Sequence, residues 1–145
     1  MHKGSTSWSL QDVTVDVLNA LELLTQMREI QSHPHWTEKN LAAAIYGERI
    51  QDFRVHGVTA LKGFGCHFPL AGRDATTSEI LEFILTLIHR GIISEYKLDF
   101  SKGHVATYSH YYIKVLSISD WDLEIAFDSH SQLQIDSLVH KRKMW

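Results

Sequence analysis

The amino-acid sequence predicts an α+β domain in which three main helices are followed by a β-hairpin. Two segments in its first half repeat apolar residues at helical spacing, and a third helix begins with a capping box. Two segments rich in aromatic and β-branched residues then flank a short polar turn. The length of 145 residues and the hydrophobic content of 44% are typical of one globular domain with a single core.

The first two helices are predicted from apolar spacing and from their ends. Residues 13–30 contain neither proline nor glycine, and their pattern indicates an amphipathic helix of about four to five turns. Thr37 is well placed to cap a second helix over residues 37–46, which Gly47 should end. The apolar positions are Val13, Val15, Val17, Leu18, Leu21, Leu24 and Met27 in the first helix, and Leu41, Ala44 and Ile45 in the second.

Residues 48–72 are harder to assign, because they mix polar and apolar residues with four glycines and Pro69. We predict a short helical turn over residues 50–55 and otherwise loop. The third main helix should span residues 77–90, since Thr76 and Glu79 match a capping box. Its apolar stripe, expected in the core, is Ile80, Phe83, Ile84, Leu87 and Ile88.

The β-hairpin is predicted over residues 92–100 and 105–116, with its tip at residues 101–104. Residues 123–127 are a further short apolar segment that suits a strand. The chain is expected to comprise an N-terminal arm at residues 1–11, a domain at residues 12–127 and a polar tail at residues 128–145. Periodicity alone leaves open whether the hairpin stands by itself or joins a larger mixed sheet.

Three helices followed by a hairpin is the order of a winged helix, a helix-turn-helix variant whose last helix typically faces DNA and whose hairpin is the wing. The formal net charge of −3 excludes a broad cationic surface, so a nucleic-acid site would have to be local. Residues 39–73 supply such a local excess of basic over acidic residues.

Four stretches of the chain carry a family resemblance. They are Trp8-Ser9-Leu10-Gln11-Asp12-Val13-Thr14-Val15-Asp16-Val17, the stretch 36–47 that begins Trp36-Thr37-Glu38-Lys39-Asn40-Leu41, the stretch 81–116, and the segment 123–127. These stretches resemble the RQC winged-helix domain of RecQ-type DNA helicases, with the Bloom and Werner branches the most similar. The resemblance implies a winged helix that binds duplex or branched DNA, with a hairpin that separates strands as a wedge inside a nuclear helicase of DNA repair and recombination. One departure is Glu48, which follows Gly47 where the family usually has a hydroxyl residue.

The first group of candidate DNA contacts would hold phosphate. Basic residues beside a helix N-terminus, with its backbone N–H groups and nearby hydroxyls, can bind an anion. This group is Arg49, Arg54, Lys62, Arg73, Thr76, Thr77 and Ser78. The alternative is that Thr76 and Glu79 only cap the helix while the cations are solvated, because acidic residues also lie near this helix start.

The second group lies on the wing, where cations can follow a DNA backbone and a ring beside the tip can stack on an unpaired base. This group is Lys97, Phe100, Lys102 and His104, with Lys114 as a further cation. Tyr96, Tyr108, Tyr111 and Tyr112 also offer rings, but for Tyr96, Tyr111 and Tyr112 packing within a half-buried sheet is the simpler explanation.

We expect no catalysis, cofactor, metal or small-molecule substrate. The ten histidines show no usual zinc-ligand spacing, and nothing around Cys66 and His67 resembles a nucleophile with its base. An ATPase motif and the family's zinc-binding cysteines are absent, so unwinding is not expected of this chain alone. No apolar run is long enough to cross a bilayer, and a single cysteine suits a reducing compartment.

The leading hypothesis is therefore a DNA-binding winged helix, and its main rival is a winged-helix module for protein interaction or self-association. The rival is favoured by the acidic net charge and by the apolar and aromatic strands. A small enzyme is a distant third, since no catalytic pair of residues can be named.

Overall fold

The structure, a computed structural model, describes residues 9–70, 72–102, 106–115, 121–127 and 139–142. The described helices are α1 (Thr14–Arg28), α2 (Glu38–Tyr46), α3 (Gln51–His56) and α4 (Thr77–His89), with a 3-10 helix at Val58–Ala60. The described strands are β1 (Ser9–Asp12), β2 (Pro69–Leu70), β3 (Arg73–Asp74), β4 (Ile93–Lys102), β5 (Ala106–Val115), β6 (Trp121–Phe127) and β7 (Val139–Arg142). They pair antiparallel in the orders β1-β6-β7, β2-β3 and β4-β5.

The three predicted main helices are confirmed as α1, α2 and α4. Thr37 caps α2: its hydroxyl oxygen accepts a hydrogen bond from the backbone N–H of Asn40 at 3.2 Å, and the Asn40 side-chain oxygen accepts one from the Thr37 N–H at 3.0 Å. Gly47 ends α2 with a φ of +96°, in the left-handed region. A Cβ at Gly47 would lie 3.3 Å from the Cα of Gly65, so this close approach of two chain segments also favours glycine.

The predicted core face of α4 is buried, and its packing fixes the position of the helix. The Phe83 ring stacks on Phe68 with centroids 4.4 Å apart. Ile88 differs from the prediction because it is only partly buried against the core. The buried residues of the predicted stripe are Ile80, Phe83, Ile84 and Leu87.

Helix α1 is less completely covered than its apolar pattern suggests. Val15 and Leu18 are 66% and 47% exposed, whereas Val17 and Leu21 are buried. Residues three or four positions apart lie on the same side of a helix, so Val15 and Leu18 form a small apolar strip facing outwards.

The connection between α1 and α2 ties both helices to the wing. Trp36 is fully buried, and its indole N–H donates a hydrogen bond to the backbone oxygen of Met27 at 2.9 Å. The backbone oxygen of Trp36 in turn accepts a hydrogen bond from the N–H of Ile113 in β5 at 3.0 Å. The base of the wing is thereby fixed beside the C-terminal end of α1.

The segment 48–72 corrects the prediction of a mostly irregular loop. The short helical turn expected over residues 50–55 is confirmed as α3, but a 3-10 helix follows it and Pro69–Leu70 forms β2 against β3. The segment also contributes the fully buried side chains of Phe53, Val58 and Leu70. These apolar residues are widely spaced and form no periodic pattern, so their burial could not be predicted from periodicity.

The wing is confirmed as a two-stranded antiparallel hairpin, and β4 extends two residues further towards the tip than predicted. Ile93 pairs with Val115 at its base, and Lys102 pairs with Ala106 at the outermost described position. Ser101 and Lys102 were expected in the tip but belong to β4. In the described residues β4 and β5 pair with each other and join no larger sheet, which settles the alternative left open by the sequence.

The second sheet lies where the sequence indicated only one strand. The strand expected over residues 123–127 is confirmed as β6, with β1 and β7 on either side. Neither β1 nor β7 was predicted, and β7 lies within residues expected to be a polar tail. The helices, the core and the hairpin together make an α+β winged helix. No helix among the described residues is long and apolar enough to cross a membrane.

Candidate nucleic-acid interface

The N-terminal end of α4 is occupied by the protein's own carboxylates. The Thr76 hydroxyl accepts a hydrogen bond from the Glu79 N–H at 3.2 Å, and the Glu79 carboxylate accepts one from the Thr76 N–H at 3.0 Å. Arg73 binds the same carboxylate through both terminal nitrogens, each at 2.7 Å. This hydrogen bonding to Arg73 is the main reason that the pKa of Glu79 falls from its ordinary 4.5 to about 2. Arg73 is therefore engaged within the protein rather than presented to a ligand.

A second carboxylate lies at the same helix end. The Thr77 hydroxyl donates a hydrogen bond to Glu48 at 3.2 Å, so the residue that departs from the family pattern after Gly47 contacts α4 directly. Between α2 and α4 lies a groove lined by Lys39, Ala42, Ala43, Glu48, Thr77, Ser78 and Leu81. Lys39 was not among the predicted site residues. A helix N-terminus attracts anions, and here Glu48 and Glu79 already supply negative charge.

The remaining loop cations are not among the residues that line this groove. Arg49 is exposed between α2 and α3, and Arg54 is exposed in the last turn of α3. Lys62 is exposed and lines a different cavity together with Glu22 and Cys66. Burial is the main reason that the pKa of the Cys66 thiol is raised, which keeps it protonated at neutral pH. Of the predicted phosphate-binding group, Thr77 and Ser78 line the groove, whereas Lys62 lines the other cavity.

The two sides of the wing have different chemistry, because alternate residues of a strand face opposite sides. Tyr96 and Phe100 share one side, and Lys97 lies on the other. The Lys97 ammonium nitrogen lies 3.8 Å from a carboxylate oxygen of Asp99. Lys97 therefore cannot act on the same surface as Phe100. The side chain of Lys102 and the whole of His104 lie outside the described part of the chain.

One side of the wing carries a continuous series of rings, which we call the aromatic face: Tyr96, Phe100, His110 and Tyr112. From the outer end, ring centroids are 5.7 Å apart between Phe100 and His110, and 6.3 Å apart between His110 and Tyr112. The series continues to Tyr96, whose ring centroid lies 6.0 Å from that of Tyr112. Phe100 and Tyr96 are half-buried, so these rings are held in place while keeping part of their surface accessible.

At the inner end of the aromatic face, residues from three parts of the chain meet around Tyr96. His35, in the α1–α2 connection, is hydrogen-bonded through Nδ1 to the Tyr96 hydroxyl at 2.8 Å. The guanidinium carbon of Arg28 lies 5.3 Å from the Tyr96 ring centroid, and the ammonium nitrogen of Lys114 lies 5.8 Å from it. We call Arg28, His35, Tyr96 and Lys114 the wing-base cluster.

The cations of the wing-base cluster differ from Arg73 in one respect. Neither Arg28 nor Lys114 forms an ion pair with an acidic residue in the described part of the chain. Sequence reasoning singled out Tyr96 and Lys114 but missed Arg28 and His35. A basic residue in the last turn of a helix is usually explained by its interaction with the helix dipole, so nothing in the sequence indicated a further role for Arg28.

The described residues contain no group of three His, Cys, Asp or Glu side chains that could hold a metal ion. In comparisons with known proteins, no curated protein and no solved structure matches the chain. The family model of the RQC domain, however, matches residues 7–120, most of the chain and all of the helices and the wing. The chain belongs to the RQC domain family, the non-catalytic, DNA-binding winged-helix modules of RecQ helicases.

Proposed function

We propose that this chain binds branched or partly unpaired DNA as the winged-helix module of a RecQ-type helicase, with the wing placed at the strand junction. The observation that carries the proposal is the aromatic face of the wing, whose outermost ring among the described side chains is that of Phe100. The module itself performs no covalent chemistry, and unwinding would be driven by a motor elsewhere in the parent protein.

Phe100 is suited to a junction because of where the fold holds it. It lies two residues before Lys102, the last described residue of β4, and its ring packs edge-on against His110. A ring that is partly immobilised loses little entropy when a base stacks on it. Bases within an intact duplex are already stacked on their neighbours, so the ring gains a new partner only where a base is unpaired.

Contacts to the DNA backbone would come from the cations that the protein does not neutralise. Arg49 and Arg54 are exposed and are the best of the predicted loop residues for this role. Arg73 should contribute less to DNA binding, because its guanidinium forms a bidentate ion pair with Glu79. Replacing Arg49 and Arg54 with Ala should therefore lower the salt dependence of duplex binding by about two units, if each neutralises one phosphate.

The test compares a forked DNA with a blunt duplex of the same paired sequence. Phe100→Ala should weaken fork binding by roughly 5- to 150-fold, the equivalent of about 1–3 kcal/mol of stacking, with little change for the blunt duplex. Tyr111→Ala is the matched control, because Tyr111 is 57% exposed on the opposite side of the wing. Urea unfolding of both variants separates binding from stability. An unchanged ratio of fork to duplex affinity for Phe100→Ala would refute the role of the wing.

A module for protein interaction or self-association is the second candidate. It is favoured by the outward apolar strip of Val15 and Leu18 on α1, and by the carboxylates of Glu48 and Glu79 at the end of α4, which oppose a polyanion there. The two candidates differ in their salt dependence, since an apolar interface does not weaken as salt rises. Absence of DNA binding even at low salt, together with concentration-dependent dimerisation in sedimentation experiments, would favour this second candidate.

A further inference from the structure

The wing-base cluster brings two cations to one aromatic ring. The charged groups of Arg28 and Lys114 both lie within 6 Å of the Tyr96 centroid, and neither is ion-paired to a described acidic residue. The ring attracts each cation but leaves its positive charge in place, so each can still bind an anion.

The Arg28 side chain also has unused hydrogen-bonding capacity. Its Nε is buried without a hydrogen-bond partner in the described residues. Beside it is a cavity lined by Thr25, Arg28, Glu29 and Val115. The Glu29 carboxylate disfavours an anion on its own side, but the two cations at Tyr96 outnumber it. A guanidinium next to a polar cavity is well suited to a phosphate, since it can donate two parallel hydrogen bonds.

The aromatic face leads directly away from this cluster. Tyr96 belongs to both, and from it the rings of Tyr112 and His110 continue towards Phe100 at the outer end of the wing. The hydrogen bond between His35 and the Tyr96 hydroxyl fixes the ring at the inner end. Cations beside a series of aromatic rings are the combination by which proteins hold single-stranded nucleic acid.

We propose that the wing-base cluster is a second DNA site, which binds two phosphodiester groups of the single-stranded tail that leaves the junction. Arg28 and Lys114 each hold one phosphate, and the bases of the tail pack along the aromatic face. The inference rests on the proposed function, because it extends the wing contact from Phe100 to the base of the hairpin. An acidic peptide would match the two cations but would leave the series of rings unused, so single-stranded DNA is the better occupant.

The test measures how much a single-stranded tail adds to fork affinity. Forks without a tail and with a tail of about ten nucleotides are titrated with the full chain at several salt concentrations. For the intact chain, the tail should strengthen binding. In the double variant Arg28→Gln and Lys114→Gln this gain should disappear, and the salt slope on the tailed fork should fall by about 1.4 for two single-strand phosphates. Binding to the fork without a tail should stay the same.

Two control variants distinguish the loss of charge at this site from the loss of charge elsewhere on the wing and from the loss of packing. Lys97→Gln removes a wing cation on the opposite side, outside the proposed DNA surface, and should leave the gain from the tail intact. Arg28→Lys keeps the charge but loses the two parallel hydrogen bonds, so it should retain only part of the gain, whereas a packing role for the guanidinium would make Arg28→Lys as damaging as Arg28→Gln. Urea unfolding confirms that each variant is folded.

The outcomes distinguish this inference from the proposed function. If the intact chain binds forks but gains nothing from the tail, or if the double variant keeps the gain, the wing-base site is refuted while binding at the junction stands. Competition by an acidic peptide as effective as that by a single-stranded oligonucleotide would also overturn it. If the intact chain binds no DNA at all, the proposed function itself fails.

Discussion

The end of α4 and the base of the wing both combine basic residues with groups that can bind DNA, but they differ in what the protein does with the charge. At α4, Arg73 is held by Glu79, and Thr77 donates to Glu48. At the wing base, Arg28 and Lys114 share the Tyr96 ring and have no carboxylate partner among the described residues. The capacity of a region to bind an anion therefore depends on which of its cations lack an acidic partner within the protein, rather than on how many cations it contains.

The largest expected effect is the loss of stability from a substitution in the core that supports both regions. Phe83 is 1% exposed and stacks on Phe68, and it anchors the helix that carries the capping network and leads into the wing. Phe83→Ala should therefore cost about 3–5 kcal/mol in the free energy of unfolding and weaken both regions together. Leu85→Ala on the same helix is the control, because Leu85 is 41% exposed and should cost far less. A loss below about 1 kcal/mol for Phe83→Ala in urea unfolding would show that α4 is not packed as described.

A smaller effect is expected when only the α4 end is disturbed. Thr76→Ala removes the hydroxyl that caps the helix and should lower stability by about 1 kcal/mol. Thr76→Ser should restore most of the loss, since serine caps equally well. Ser78→Ala, an exposed neighbour, should change stability little. If the comparison holds, Thr76→Ala leaves the gain in affinity from a single-stranded tail unchanged, and loss of that gain would show that the two regions are coupled.

The ion pair at α4 should appear as a dependence of stability on pH. Because the folded-state pKa of Glu79 is lowered to about 2, the contribution of this carboxylate is fully present above its ordinary pKa of 4.5 and is lost as the pH falls towards 2. Glu79→Gln keeps a capping side chain but removes the charge. It should be less stable than the unaltered chain by under about 1 kcal/mol at pH 7, as for other exposed ion pairs. That difference should shrink between pH 4.5 and pH 2, and a constant difference would contradict the assignment.

The smallest expected effect is a gain in DNA affinity. Glu48→Gln removes the carboxylate beside Thr77 and exposes the positive end of the α4 dipole. Duplex affinity at low salt should rise by up to about fivefold, the equivalent of roughly 1 kcal/mol. Glu82→Gln, which removes an exposed charge from the same helix, is the matched control. Equal gains from both variants would mean that general charge, rather than the position of Glu48, opposes DNA.

Most of the helical fold could be predicted because its signals are local. Thr37, Thr76 and Gly47 act on residues within one helical turn, and the apolar stripe of α4 repeats over a few turns. The pairing of β1 and β7 with β6 joins residues that are far apart in the sequence, and no local sequence pattern predicts such a pairing. The irregular core segment around Phe68 was missed for the same reason.

The candidate site was less predictable than the fold. The sequence indicated Phe100 at the wing and Arg73 before α4, but it could not show that Glu79 engages Arg73. The opposite orientations of Lys97 and Phe100, in contrast, follow from strand alternation alone, because the predicted strand over residues 92–100 already contains both residues. Arg28 and His35 join Tyr96 only because Trp36 fixes the α1–α2 connection against β5.

The most direct measurement is the salt dependence of binding to a tailed fork for three forms of the chain: unaltered, Arg28→Gln with Lys114→Gln, and Arg73→Gln. We expect the affinity of the unaltered chain to fall steeply as salt rises, the double variant to have a slope lower by about 1.4, and Arg73→Gln to keep the original slope. A flattened slope for Arg73→Gln beside an unchanged slope for the double variant would place DNA at the end of α4 and refute the wing-base site.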